Sequence, residues 1–246
     1  MIIFGINPVL EALRANRARR VRVSARGDRR VDEILALAAR QHVPVDRVDA
    51  QALERAARGG VHQGIVAEIE DPKEYSIADL VAWLPPSGES PLIVVLDGVE
   101  DPHNVGAILR TADAAGATGI VRQARHSAAL NGVVGKASAG ALARARIATV
   151  VNVARAIEEL KDGGVWTIGL AGEAADPYTA VDFTLPTAIV LGAEGAGLRR
   201  LVADRCDRMV RLPMLGAVES LNVSVAAGVV LYEAVRQRLN VAGRTP

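Results

Sequence analysis

The sequence predicts an α/β protein whose larger part is a mostly parallel sheet with helices on both faces. Two observations support this fold class. From residue 92 onward, short apolar runs that suit buried strands alternate with helical patterns, as expected for strands joined by crossover helices. A Pro-rich stretch at residues 71–90 separates this region from an N-terminal part with its own strand and helix patterns. We therefore expect a small α/β domain at residues 1–70, a linker at 71–90 and a larger domain at 91–246.

The elements of the small domain follow from hydrophobic periodicity. Val31, Ile34, Leu35 and Ala38 fall on one helical face, and Gly59-Gly60 stops the last helix. The helices are expected at residues 7–15, 31–38 and 51–58, and the strands at 20–24, 43–48 and 64–69. One or two helical turns are expected within the linker, at residues 77–84.

The larger domain contains six apolar runs of strand length. These strands are predicted at residues 92–96, 119–122, 147–151, 165–170, 188–191 and 209–212. A final helix is predicted from about residue 221 to residue 239.

Composition limits the class of protein. Half of the 246 residues are hydrophobic, which is enough for a substantial core, and no apolar run approaches the roughly 20 residues that span a bilayer. The N-terminus lacks the basic start of a signal peptide, and Cys206 is the only cysteine. We expect a cytoplasmic protein that binds no membrane. The four histidines have no metal-like spacing, so no metal site is predicted.

The net charge of +1 does not by itself point to any binding partner, but the arginines are clustered. Residues 14–30 contain eight arginines and one acid, Asp28, and such a basic field attracts phosphate backbones. The RNA-binding candidates in this run are Arg14, Arg17, Arg19, Arg20 and Arg22. A second basic run fits a nucleic-acid surface and an ordinary solvated surface equally well; it comprises Arg110, Arg122, Arg125, Lys136, Arg144 and Arg146.

Three segments after apolar runs combine glycines with polar side chains, at residues 97–110, 191–197 and 212–224. Loops at strand ends are where α/β proteins build sites. Each segment also has a simpler interpretation: Asn104 as a helix N-cap, Glu194 in a tight turn, and Ser220, Asn222 and Ser224 as caps of the last helix. The run Gly132-Val-Val-Gly135-Lys136 is too short for a phosphate loop and lacks its Ser or Thr.

Together and in this order, the three segments resemble the three motifs of the SpoU family of RNA ribose 2′-O-methyltransferases, in the knotted SPOUT superfamily. The first 70 residues, which include Phe4-Gly-Ile-Asn-Pro8, resemble the small RNA-binding domain of the ribosomal branch of that family. The resemblance thus covers most of the chain. It implies S-adenosylmethionine-dependent methylation of a guanosine in 23S ribosomal RNA, a trefoil knot in the larger domain, and a homodimer formed by that domain.

The resemblance also assigns roles to residues. It implies that the catalytic site contains Asn104, Arg110, Glu194, Ser220 and Asn222. It implies that S-adenosylmethionine is held mainly by backbone groups near Ala171, Gly172, Gly192, Leu212, Met214 and Leu221. Because a guanidinium keeps its proton in proteins, we expect Arg110 to clamp a phosphate rather than act as a base.

Two alternatives remain open from the sequence. One is an enzyme of the same family that acts on transfer RNA or on an antibiotic-target site in ribosomal RNA. The other is an RNA-binding or ribosome-assembly protein without catalysis.

Overall fold

The computed structural model describes residues 1–24, 29–70, 73–83 and 88–241. Arg26 and Asp28 of the first basic run, and residues 71, 72 and 84–87 of the predicted linker, lie outside the described residues. The chain forms two compact units. The first contains Met1–Pro72, Val105–Arg110 and Ala128–Ala145; the second contains Lys73–Asn104, Thr111–Ser127 and Arg146–Pro246.

Helices and strands alternate along most of the chain, together with two short 3₁₀ helices at Ala141–Ala143 and Tyr178–Ala180. In chain order the elements are β1 (Ile2–Phe4), α1 (Ile6–Arg14), β2 (Ala18–Ser24), α2 (Arg29–Arg40), β3 (Val45–Val48), α3 (Ala50–Ala57), β4 (Ile65–Ile69), α4 (Ile77–Ala82), β5 (Leu92–Asp97), α5 (Pro102–Ala114), β6 (Gly119–Gln123), α6 (Gly132–Ala137), β7 (Ile147–Val150), α7 (Val153–Asp162), β8 (Trp166–Leu170), β9 (Asp176–Pro177), β10 (Thr187–Gly192), α8 (Arg200–Ala203), β11 (Arg208–Arg211) and α9 (Val223–Val241). None of the described helices combines the length and the apolar character needed to cross a membrane.

The first unit is built on a four-stranded sheet in the order β1-β4-β2-β3. Strand β4 runs antiparallel to β1 and β2, and β2 runs parallel to β3. Helix α1 buries Val9, Ala12 and Leu13, which recur at helical spacing, in a core shared with β2, β4 and α2. The sequence missed β1, because three residues are too few to display the two-residue period of a strand.

The second unit contains a seven-stranded sheet in the order β7-β6-β5-β10-β8-β11-β9, and every neighbouring pair is parallel. The predicted α/β class and the six predicted strands are confirmed. On one face, alternate residues of the central strands pack against α4, α7 and α8; α9 packs against β10. Because all strands point the same way, their carboxyl ends meet at a single edge of the sheet.

Three details of the sequence interpretation are corrected. Asp101, not Asn104, is the N-cap of α5, and its side chain accepts a hydrogen bond from the N–H of His103 at 2.8 Å. The last helix begins at Val223 rather than near Leu221. Leu80, within the predicted linker, is fully buried in the core of the second unit, so part of that stretch has a packing role. The predicted domain boundaries themselves stay a prediction.

Candidate active site

Three side chains from three distant segments meet at the carboxyl edge of the parallel sheet. Glu194 Oε1 accepts hydrogen bonds from the amide nitrogens of Asn104 and Asn222, the latter at 2.9 Å. Asn222 Nδ2 also donates to Asn104 Oδ1 at 3.0 Å. These residues belong to the three segments that carry the family resemblance, and the fold closes them into one cluster.

Residues at the starts of two helices fix the orientation of both amides. Asp101 caps α5 and accepts a second hydrogen bond from Asn104 Nδ2 at 3.2 Å. Just before α9, Asn222 Oδ1 accepts from the N–H and the hydroxyl of Ser224 at 2.9 and 2.6 Å. The polar atoms of Asn104 and Asn222 are therefore all engaged, and Asn104 is only 7% exposed. No hydrogen bond to Glu194 Oε2 is found among the described residues, so this oxygen is available to a ligand.

Residue assignment from the sequence missed Asp101 and Ser224 as members of this cluster. A signal was present for Asp101, because an Asp directly before Pro102 is a strong helix-start pattern. Ser224 stands in the third segment as a small polar residue at a helix start, a pattern that fits a cap as well as a pocket, so it was not assigned to the site.

The loop that carries Glu194 is held rigidly at both ends. The N–H groups of Ala193 and Gly197 bond to each other's carbonyl oxygens at 3.0 and 2.8 Å. Gly192 has no room for a side chain, since an added Cβ would lie 2.1 Å from the carbonyl carbon of Gly197. Just after the loop, Arg199 donates its backbone N–H and its guanidinium to the buried carboxylate of Asp97. Position 192 requires a glycine because the backbone of Gly197 passes too close for any side chain.

A cavity of about 550 Å³ adjoins the cluster and is lined by the loops that follow β8, β10 and β11. All six residues predicted to hold a cofactor line it: Ala171, Gly172, Gly192, Leu212, Met214 and Leu221. Three carboxylates also line it, those of Glu173, Glu194 and Glu219, and the lining within the described part of the chain includes no lysine or arginine. The volume suits a small-molecule ligand, and the charge favours a cationic one.

The remaining two predicted catalytic residues take no part in the hydrogen bonds of this cluster. Ser220 lines the cavity and is exposed, and it makes no hydrogen bond within the described part of the chain. Arg110 is exposed on α5, six residues beyond Asn104, and the described residues offer it no ion pair. The structure therefore brings together Asn104, Glu194 and Asn222, and leaves Arg110 accessible to an external ligand.

The first basic run is more neutralised than its sequence suggested. Arg14 pairs with Glu11 and Glu33, Arg19 with Glu70, Arg20 with Asp46, and Arg22 with Glu68, at 2.9 to 3.4 Å. Arg17 instead donates to the carbonyl oxygens of Ala143 and Glu70. Glu11 lies on the same helix as Arg14, and the other acids are brought close by the fold of the first unit. The role of these arginines in RNA binding stays a prediction; the side chains of Arg14, Arg19 and Arg20 are 54%, 70% and 48% exposed.

Comparison with known proteins decides the family. Residues 91–232 match the SpoU rRNA Methylase family, and residues 2–75 match the description "RNA 2′-O ribose methyltransferase substrate binding". The chain belongs to the SpoU rRNA methylase family. The motif residues Asn104, Glu194 and Asn222 all lie within the first of these matched ranges.

Individual relatives of this SpoU family member match it over nearly its whole length. The 23S rRNA (guanosine-2′-O-)-methyltransferase RlmB of Pseudomonas putida is 45% identical over 96% of both chains. The crystal structure of the SpoU methyltransferase AviRb from Streptomyces viridochromogenes has a TM-score of 0.83 at 26% identity, covering 100% of this chain and 91% of that one. The structure of AviRb in complex with the cofactor AdoMet has a TM-score of 0.81 at 26% identity, covering 97% of this chain and 90% of that chain.

Proposed function

We propose that this protein transfers a methyl group from S-adenosylmethionine to the ribose 2′-hydroxyl of a guanosine in 23S ribosomal RNA. The observation that carries the proposal is the Asn104–Glu194–Asn222 cluster beside an acidic cavity. The name of the Pseudomonas putida relative, at 45% identity over almost the full chain, supports the choice of substrate.

The cavity fits the proposed cofactor in size and in charge. S-adenosylmethionine carries a positive sulfonium and an ammonium group, and the cavity presents Glu173, Glu194 and Glu219. The loops around Gly172, Gly192 and Leu212 supply backbone N–H and C=O groups that can hold a nucleoside. When bound, the cofactor supplies a methyl group on sulfur that is already activated for transfer to an oxygen nucleophile.

The chain's own contribution is to align the two reactants and the RNA phosphate that accepts the proton. Holding two reactants in the correct geometry can lower a barrier by about 7–11 kcal/mol. Asn104, Glu194 and Asn222 form a rigid platform, and Glu194 Oε2 can accept a hydrogen bond from the ligands. Arg110 clamps the phosphate next to the target ribose through its planar fork, and this phosphate takes up the hydroxyl proton.

Selection of the RNA belongs to the first unit. Its sheet presents Arg19, Arg20 and Arg22 along β2, and RNA phosphates can replace their present partners Glu70, Asp46 and Glu68. Each of these ion pairs is at least partly exposed, so exchanging a carboxylate for a phosphate carries a small net cost.

The functional form is a homodimer in the cytoplasm whose larger domain carries the family's trefoil knot.

An apolar face on the second unit supports the dimer. Val225, Val229 and Tyr232 recur at helical spacing on one side of α9 and are 51%, 37% and 53% exposed. Nearby in sequence, Leu215, Val218 and Leu221 are also exposed. An apolar face of this kind is usual at a protein interface and rare on a free surface.

Mapping of 2′-O-methyl sites in ribosomal and transfer RNA, with and without this protein, tests the proposal. We expect one guanosine of 23S ribosomal RNA to lose its methyl group when the protein is absent, and to regain it in vitro with purified protein and S-adenosylmethionine. A change confined to transfer RNA would overturn the substrate, and the absence of any change would favour a non-catalytic RNA-binding protein.

A matched pair of variants links this activity to the site. Glu194→Gln keeps the size of the side chain but loses the charge that both amides share, so methyl transfer should fall at least tenfold. Glu159→Gln removes an exposed carboxylate from α7, where it pairs with Arg155, and should leave activity unchanged.

A further inference from the structure

The second basic run separates into paired and unpaired residues once the chain is folded. Arg144 forms an ion pair with Glu11, and Lys136 donates to the carbonyl oxygen of Val61 at 3.2 Å. The guanidinium of Arg146 lies 3.6 Å from the ring centroid of Trp83. Arg122 and Arg125, both in the second unit, have no carboxylate or aromatic partner among the described residues.

Arg122 is a buried cation with almost no compensation. It is the fourth residue of β6, level with Leu96 of β5 and Thr149 of β7, and it is only 8% exposed. Its single hydrogen bond within the described residues runs from Nε to the carbonyl oxygen of Gln123 at 3.4 Å. Burial lowers the pKa of Arg122, since the charged form is poorly solvated there. A buried cation without a counter-ion is costly, and an anionic ligand at this point would offset part of that cost.

Arg125 follows in the turn after β6 and is exposed. The turn is anchored to the neighbouring strand, because Ala124 N–H donates to the carbonyl oxygen of Val150 at 2.8 Å. Glu100, in the loop after β5, contacts His126 of this turn at 3.3 Å, and no ion pair joins it to either arginine within the described residues. The described residues therefore leave the charges of Arg122 and Arg125 unneutralised.

Both arginines lie at the carboxyl edge of the sheet that also carries the candidate active site. Strand β6 is the neighbour of β5, about 4.8 Å away, and β5 leads into Asn104. The cavity lies on the other side of β5, in the loops after β10, β8 and β11. A ligand that extends from the catalytic cluster toward β6, on the side opposite to the cavity, would therefore contact Arg122 and Arg125.

We propose that Arg122 and Arg125 bind backbone phosphates of the RNA strand that carries the target ribose, on the β6 side of the catalytic cluster. This inference rests on the proposed function, because it takes RNA as the substrate. The planar fork of a guanidinium matches two phosphate oxygens. The burial of Arg122 restricts its side chain before the RNA arrives, which reduces the entropy lost on binding.

The test compares four full-length proteins: wild type, Arg122→Met, Arg125→Gln and a control, Arg205→Gln. Arg205 pairs with Glu158 and precedes β11, at the opposite edge of the sheet, so its loss removes the same charge elsewhere. Binding to a 23S ribosomal RNA transcript is measured over a range of salt concentrations. Methyl transfer to the transcript and S-adenosylmethionine affinity are measured for each protein.

We expect Arg122→Met and Arg125→Gln each to raise the Kd for the transcript roughly tenfold. Each should also lower the slope of log K against log salt by about 1, as for the loss of one phosphate contact. The control should keep the wild-type slope, and all four proteins should bind S-adenosylmethionine equally.

The outcomes separate this inference from the function on which it rests. If the wild type methylates the transcript but the two variants keep the slope of the control, the phosphate contacts are wrong and the function stands. If the wild type neither binds nor methylates the transcript, the proposed function itself is wrong. If Arg122→Met fails to fold, Arg122→Lys is tested in its place. This variant keeps the charge but loses the fork, so its Kd for the transcript should rise several-fold. A Kd equal to that of the wild type would refute the role of Arg122.

Discussion

Asp97, fully buried at the carboxyl end of β5, accepts hydrogen bonds from the backbone N–H and the guanidinium of Arg199, 102 residues further along the chain. The contact ties the end of β5 to the residue that ends the Glu194 loop. The Asp97–Arg199 pair has two structural roles. It neutralises a buried carboxylate, and it fixes the loop that lines the cavity.

Replacing Asp97 with Asn should therefore lower both stability and cofactor affinity. The amide cannot accept from all the donors of Arg199, and we expect a loss of about 3 kcal/mol in the free energy of unfolding. Urea denaturation and calorimetric titration with S-adenosylmethionine measure the two effects. Asp204→Asn is the control, since Asp204 is exposed and its contact with Arg200 is 3.8 Å long. Equal behaviour of the two variants would contradict the role of Asp97.

Arg110→Lys tests the phosphate clamp. Lysine keeps the positive charge but loses the fork that grips two phosphate oxygens, so kcat/KM with RNA should fall at least tenfold while S-adenosylmethionine affinity stays constant. Steady-state methyl-transfer kinetics give the answer. Near-normal turnover and RNA affinity in this variant would show that the fork is not needed.

The exposed apolar face of α9 is expected to hold the homodimer together. Introducing a charge with Val229→Asp should halve the molar mass measured by light scattering, because a buried unpaired carboxylate opposes association. Val61→Asp places the same charge at an exposed valine of the first unit and should leave the mass unchanged. A wild-type protein that is already monomeric would refute the dimer proposed for this face.

Arg238 anchors the end of α9. Its guanidinium donates to the carbonyl oxygens of Phe183, Ser90, Pro91 and Leu185, at 2.6 to 3.3 Å. Arg238→Met leaves these carbonyls without their donor, and we expect the free energy of unfolding to fall by about 3 kcal/mol. Arg155→Met, which removes one exposed ion pair from α7, should cost less than about 0.5 kcal/mol in the same denaturation experiment.

Much of this fold could be predicted locally. The six strands of the larger domain follow from apolar runs, and the helices follow from their periodicity. The elements that were missed are short: β1 has three residues, and β9 has two. Their pairing depends on a neighbouring strand rather than on their own sequence. Asn104 was misread as an N-cap because Asp101, Pro102 and Asn104 all suit a helix start, and only the backbone shows which residue begins it.

Local patterns along the chain are enough to predict the α/β class, the glycine-rich loops at strand ends, and the residue types of the three segments. Which of these residues come into contact depends on the three-dimensional fold. Asn104 lies 90 positions from Glu194 and 118 from Asn222, and the order of strands in the sheet, which local periodicity does not encode, brings them into hydrogen-bond contact. The order of the strands also determines which arginines have a carboxylate partner. Arg20 and Arg22 look unopposed along the chain but face Asp46 and Glu68 across the sheet, whereas Arg122 has no carboxylate partner among the described residues.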